Sequence, residues 1–391
     1  NTVRPTLRNT HARTRFMSFK KVAIPLVVCA ITAIIYSELK QESSTDITLD
    51  SLPTTVTESV IQTPHAQHTA PSVSKKEVTA PANKPVITVC ETAAEGVILN
   101  SETMSKLGAE DTKMRQVIAD TSTLESEFTA LITSQNDTET RIERTLQLRE
   151  KYPDNPLVSY ELLSLCSNSE YNCSPELVAS TVQQDPNNGA AWLLSAIYHA
   201  SNNDTTSAET AIIEASKAPN FNDHWSDYSS TFSTAYKQAG AVEGVELDVL
   251  VMGYVAALSS PSYGALFKLC KQAPVDNTAL LEACFTSGQL FTDQSTSQIS
   301  RLIGSNIQKN VLTKLGNNDE LARIEQARNE MLALNEQQSK ALGLIWRNRT
   351  ISEEWQTELI RNGEVKAAQF AISEAIRISN DPDIDECLVV N

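Results

Sequence analysis

From residue 139 onward, apolar side chains recur at intervals of three and four, the spacing of one face of an α-helix. The first clear stripe covers 139–152, and "LVSYELLSLC" follows at 157–166. Residues 190–200 predict another helix, and Asp204 is suited to cap the next, which carries Ala208, Ile212 and Ala215 before Pro219. The apolar run 247–270 is split at Pro261, and the stripe over 297–315 ends on Gly316, a helix C-cap residue. The stretch 319–346 reads as one long helix, and Ser352, followed by Glu353, Glu354 and Trp355, reads as the start of the last. No alternation of strand type has useful length after residue 100. The pattern predicts an all-α body of roughly ten to thirteen helices.

Ahead of the body the pattern changes twice. Residues 22–36, "VAIPLVVCAITAIIY", form fifteen positions without a charge, preceded by Lys20 and Lys21. As a helix the segment spans roughly 22 Å against a bilayer core of about 30 Å, a difference that flanking lysines and Tyr36 can cover. It is read as an uncleaved signal-anchor; a cleaved signal peptide with secretion of the remainder is the alternative. The basic flank places residues 1–21 in the cytoplasm and the rest outside, a single-pass inner-membrane protein with its bulk in the periplasm. "MSFKK" at 17–21 is read as the natural start, with 1–16 an upstream extension that need not be translated. Residues 41–84, rich in Thr, Ser and Pro, have no stripe and are expected to form a disordered stalk. Residues 85–391 are left as the exported helical domain.

Within that body, "DPNNGAAW" at 185–192 and "APNFNDHW" at 218–225 place Pro186 and Pro219, and Trp192 and Trp225, thirty-three residues apart. Pro153 lies one further period back. Such a period marks stacked helix–turn–helix units. Here the residues resemble the tetratricopeptide repeat: Trp192, Ala196, Ala208, Ala215 and Pro219 occupy its aromatic, small and closing-proline places. The resemblance spans about 152–250 and is degenerate, with Ser195 at a leucine place, Asn203 at a glycine place and Asp248 at an alanine place. It implies a short α-solenoid in which Trp192 and Trp225 are buried equivalents. Partner contacts are then expected on the first helices, at Tyr198 and His199. The layout as a whole resembles N-terminally anchored bacterial envelope proteins.

Charge narrows the partners. The formal net charge is −16, yet residues 1–40 hold seven of the 32 Lys/Arg and one of the 48 acids, leaving −22 beyond them. Nucleic acid is therefore excluded as an expected partner. Seven cysteines are present, one of them, Cys29, in the anchor. The remaining six are even in number, as a disulfide framework requires: Cys166 with Cys173 across a helix turn, Cys270 with Cys284 around Pro274, and Cys90 with Cys387 joining the ends of the body. Without a C-x-x-C pair, a metal site is not expected, and His65 and His68 are read as linker residues.

No catalytic motif stands out: the sequence has no G-x-S-x-G, H-E-x-x-H or phosphate-binding loop. Only His199 and His224 fall in the body, and the alternating Asp381, Asp383 and Asp385 are read as an acidic tail. The expectation is a non-catalytic protein–protein interaction scaffold of the cell envelope, without cofactor. The alternative is a helical hydrolase of cell-wall polymers using an acid pair drawn from Glu161, Glu353 and Glu354.

Overall fold

The computed structural model describes Ile87 and residues 101–381, apart from 135–137, 169, 242–243, 259–260 and 262. All of these belong to one unit, Pro81–Asn391. Cys29, His65, His68, Cys90, Cys387 and the anchor and stalk segments lie outside the described residues.

Fourteen helices and no strand occur among the described residues, one or more above the count expected from the pattern. They are α1 (Ser101–Ala119), α2 (Leu124–Thr133), α3 (Thr138–Lys151), α4 (Pro156–Ser167), α5 (Pro175–Val182), α6 (Gly189–Ser201) and α7 (Thr205–Lys217). Then come α8 (Trp225–Gln238), α9 (Val245–Ala256), α10 (Tyr263–Gln272), α11 (Thr278–Gln294), α12 (Gln298–Leu315), α13 (Asn318–Ile345) and α14 (Arg349–Ser379). Local chemistry sets most of their ends. Asn155, Ser174, Asn188 and Asp204 each accept a backbone N–H from the first turn of α4 to α7, and Pro156 and Pro175 open α4 and α5. Gly316 closes α12 in the left-handed conformation at φ 67°.

The repeat-like part is α4–α7, where each helix packs on its neighbours in a zigzag. The two turns flagged by the thirty-three-residue period touch each other. Gly189 N donates to Asn220 O at 2.8 Å, and the Asn188 side chain both donates to Asn222 O and accepts from Asn222 N at 2.9 Å. Ala196, Ala208 and Ala215 are buried, and these small side chains let α6 and α7 approach closely. The arrangement is compatible with a tetratricopeptide-like solenoid over these helices.

Beyond α7 the stacking takes another course. The main interfaces of α8 are with α1, α2, α9 and α14, while α7 meets α11. The unit expected to begin at Trp225 is therefore not stacked on its predecessor. A tight turn at His224, φ 55°, redirects the chain. The helices instead form a circuit of interfaces: α2, α3, α4, α6, α7, α11, α12, α13, α14, α8 and back to α2. A large apolar core runs through α1–α12, and a smaller one gathers Trp355 and its neighbours on α13 and α14, with Ile87 packed against it.

The start expected at Ser352 is corrected. Asn348 caps the last helix, and Ser352 sits in its first turn, wholly buried, donating to Asp248 Oδ2 at 2.7 Å. Gly363, at φ 78°, breaks α14 into two arms. Polar bonds also cross the circuit at Asp111, which accepts from Tyr236 and Tyr254 at 2.6 and 2.9 Å.

Cys166 is bonded to Cys173 and Cys270 to Cys284, with Cα atoms 5.5 and 5.8 Å apart. The first clips α4 to the cap of α5; the second joins α10 to α11. Replacing Cys166 and Cys173 with Ser is expected to lower stability by about 2–3 kcal/mol, from chain entropy restored to the unfolded state. Denaturant midpoints of the oxidised protein and the variant measure this. Free alkylation of all four thiols in protein taken from its native compartment would remove the basis for the expectation.

Candidate functional site

An open groove of about 420 Å³ lies between α5 and α7 with α6 as its floor. Ala179 and Ser180 line it from α5 and Gln183 from that helix's C-cap, Trp192, Ser195 and His199 from α6, and Ser207, Thr210 and Ala211 from α7. Each helix contributes one face at spacing three or four, so the groove follows from helix periodicity. None of these side chains carries a fixed charge. Ser195 occupies the place where the resembled repeat prefers leucine, and its small side chain leaves the floor open.

His199 is half-buried at one end, with Nδ1 3.2 Å from Asp204 Oδ2. Asp204 thereby serves twice, since its Oδ1 also caps α7 through Ser207 N. Those hydrogen bonds from Ser207, with a smaller contribution from His199, hold the Asp204 carboxyl below the usual range. Trp192 is half-buried rather than enclosed, and its Nε1 donates to Pro186 O at 2.8 Å. Trp225 is half-buried too, as the first residue of α8. The expectation that the two tryptophans are buried equivalents between units is corrected: both are only partly buried against the core. One faces a groove, and the other belongs to a helix that has left the array.

Tyr198 is corrected as a partner contact. It is 5% exposed, and its hydroxyl donates to Cys173 O at 2.8 Å, next to the disulfide. His199 follows it in sequence but points to a different face of α6. His224 is buried against the Tyr160 ring with Nδ1 2.7 Å from Asp227, so it does not share the groove with His199.

This chain matches no known family model, curated protein or solved structure. Among the described residues, no group of three or more His, Cys, Asp or Glu is placed to hold a metal ion. No helix among them is long and apolar enough to cross a membrane.

The acids considered for hydrolysis lie in three different settings. Glu161 is buried, accepting from Arg141 at 2.9 Å and from Tyr228 at 2.6 Å. Burial raises its carboxyl above the ordinary range, with Arg141 and Tyr228 opposing the rise. Glu353 pairs with Arg349 at 2.8 Å. Glu354 lines a second, smaller cleft beside Glu374, Arg349 and Arg377, where Glu374 is paired with Arg377.

The repeat pattern marks Trp192 as a packing residue and His199 as a partner contact, and it carries no signal for the groove's walls. Ser180, Gln183, Ser207 and Thr210 belong to no motif, and only the approach of the two helices brings them together.

Proposed function

We propose that this chain is a non-catalytic protein-binding scaffold of the cell envelope, held in the membrane by residues 22–36 with its helical body exported. The observation that carries the reading is the groove on α6: open, uncharged, and set in a strongly acidic chain. Its hydroxyl, amide and imidazole groups suit the backbone of an extended peptide, and Trp192 offers an apolar wall for one side chain. The two disulfides support export, since such bonds persist in oxidising compartments.

Affinity capture with the full chain, extracted from envelope membranes in mild detergent, tests the reading. Ser195→Leu should fill the floor and Thr210→Arg should place a charge in a neutral wall. Each is expected to cut partner recovery at least tenfold, Thr210→Arg with an unchanged melting temperature and Ser195→Leu with some loss of stability, because Ser195 is 4% exposed. His199→Ala should weaken capture as well. Trp192→Ala should weaken it while also costing about 2 kcal/mol of stability, less than a fully buried indole would. Undiminished capture by both Ser195→Leu and Thr210→Arg would move the binding surface elsewhere.

A further inference from the structure

The two arms of α14 are fastened to the body through two acids, Asp248, which is buried, and Glu364, which is half-buried just after Gly363. On the first arm, Ser352 donates to Asp248 of α9, whose other oxygen, Oδ1, is buried without a hydrogen-bond partner. Asp248 is 1% exposed. The charged groups that act on it are Glu246 on its own helix, Lys237 from α8 and Glu353 from α14. The Ser352 hydrogen bond and, more weakly, Lys237 favour the ionised form; burial and the two glutamates oppose it.

At the break itself, Gly363 is pressed against the loop between α11 and α12. A Cβ there would stand 2.7 Å from Thr296 Cβ and from Thr296 O. Glu364 N donates to Thr296 O at 2.8 Å, and the Glu364 carboxylate accepts from Gln298 N at 2.5 Å, capping α12 from outside. On the far side of the same loop, Asp223 accepts from Ser295 and from Thr296, the latter at 3.0 Å. Two acids thus grip one loop, and the charge of Asp223 faces that of Glu364.

We propose that α14 is a proton-controlled latch: protonation of Asp248 and Glu364 tightens its seat on the body, and their ionisation loosens it. The latch stands apart from the proposed partner groove and does not depend on it.

Burial is the main cause in both cases and pushes each carboxyl up to about 7, against the hydrogen bonds from Ser352 to Asp248 and from Gln298 N and Ser297 to Glu364, which favour the ionised form. Glu364 keeps some solvent contact, so of the two Asp248 is the more fully enclosed. A carboxyl whose folded value lies above its free value binds more protons when docked. Its contribution to docking is therefore full below the free carboxyl range, falls through mildly acidic pH and is gone above about 7.

Hydrogen exchange on the full chain in detergent, corrected for the intrinsic effect of pH, tests this. Amide protection across 349–379 is expected to fall at least about tenfold between pH 5.5 and 8.0, a span in which a single such group can contribute about thirtyfold. Protection of α6 and α7 should stay level. The pair Asp248→Asn with Glu364→Gln should remove the dependence and protect α14 at pH 8.0 at least as well as the wild type. Limited proteolysis of the wild type needs no variant: cleavage within 349–379 should accelerate as pH rises. Protection and cleavage that do not change with pH in the wild type, or a folded double variant with the full dependence, would overturn the latch.

Discussion

Glu161→Ala is expected to lower the stability of the body by about 3–5 kcal/mol, because it breaks a buried ion pair from one side. Glu161 is 4% exposed and is held from α3 by Arg141 and from α8 by Tyr228. Removing its carboxylate leaves the Arg141 guanidinium without its anion and the Tyr228 hydroxyl without an acceptor. Both groups would remain desolvated, since Arg141 is only 17% exposed and Tyr228 is buried. The loss should therefore exceed the worth of the hydrogen bonds alone. Replacing Arg141 and Glu161 together with Met removes both charges and should recover much of the loss, because no unpaired charge is then buried. Urea unfolding followed by circular dichroism measures each variant. A single variant as stable as the wild type would mean that Glu161 is not the polar tie between α3, α4 and α8.

The second large effect is steric. α11 and α12 are the most closely joined helices of the circuit, and they meet at Gly288 and Gly304. A Cβ on Gly304 would stand 2.5 Å from Gly288 O, 2.6 Å from Thr292 Oγ1 and 2.7 Å from Thr292 N. Two of those three atoms are backbone, so the clash cannot be relieved by turning a side chain. Gly304→Ala should force the helices apart at a cost of about 3 kcal/mol, of which the better helix propensity of alanine returns about 1. Gly108 on α1 has open space where its Cβ would be. Gly108→Ala should accordingly gain up to about 1 kcal/mol. Thermal unfolding of the two variants side by side decides the matter: equal midpoints would show that the glycine contact is not required.

What the sequence determined by itself is local. The ends of α6 and α7, the Asp204 and Gly316 caps, the break at Pro261 and the two short disulfides all follow from chemistry within about four to fourteen residues along the chain. Helix periodicity and cap hydrogen bonds act at that range, so they can be read without knowing what lies opposite. The turns at Pro186 and Pro219, which the thirty-three-residue period aligns, do touch, since consecutive helix pairs have short connections and few ways to pack.

Only the tertiary structure decided where the period stops mattering. Trp225 repeats Trp192 in sequence, yet α8 turns away at His224 to join α1, α2, α9 and α14. The gain that draws it there is burial of Tyr228, Phe232 and Tyr236 against helices far away in the chain, and no local spacing encodes that choice. Ser352 looked like a cap because its neighbours suited one. Its hydroxyl instead serves Asp248, a hundred and four residues earlier. The groove follows the same rule. Ser180, Ser207 and Thr210 are ordinary polar residues on each helix taken singly, and they become one lining only when α5 and α7 stand on either side of α6. Side chains at a fixed short spacing share a face by geometry; which faces meet depends on the apolar area that distant segments bury together.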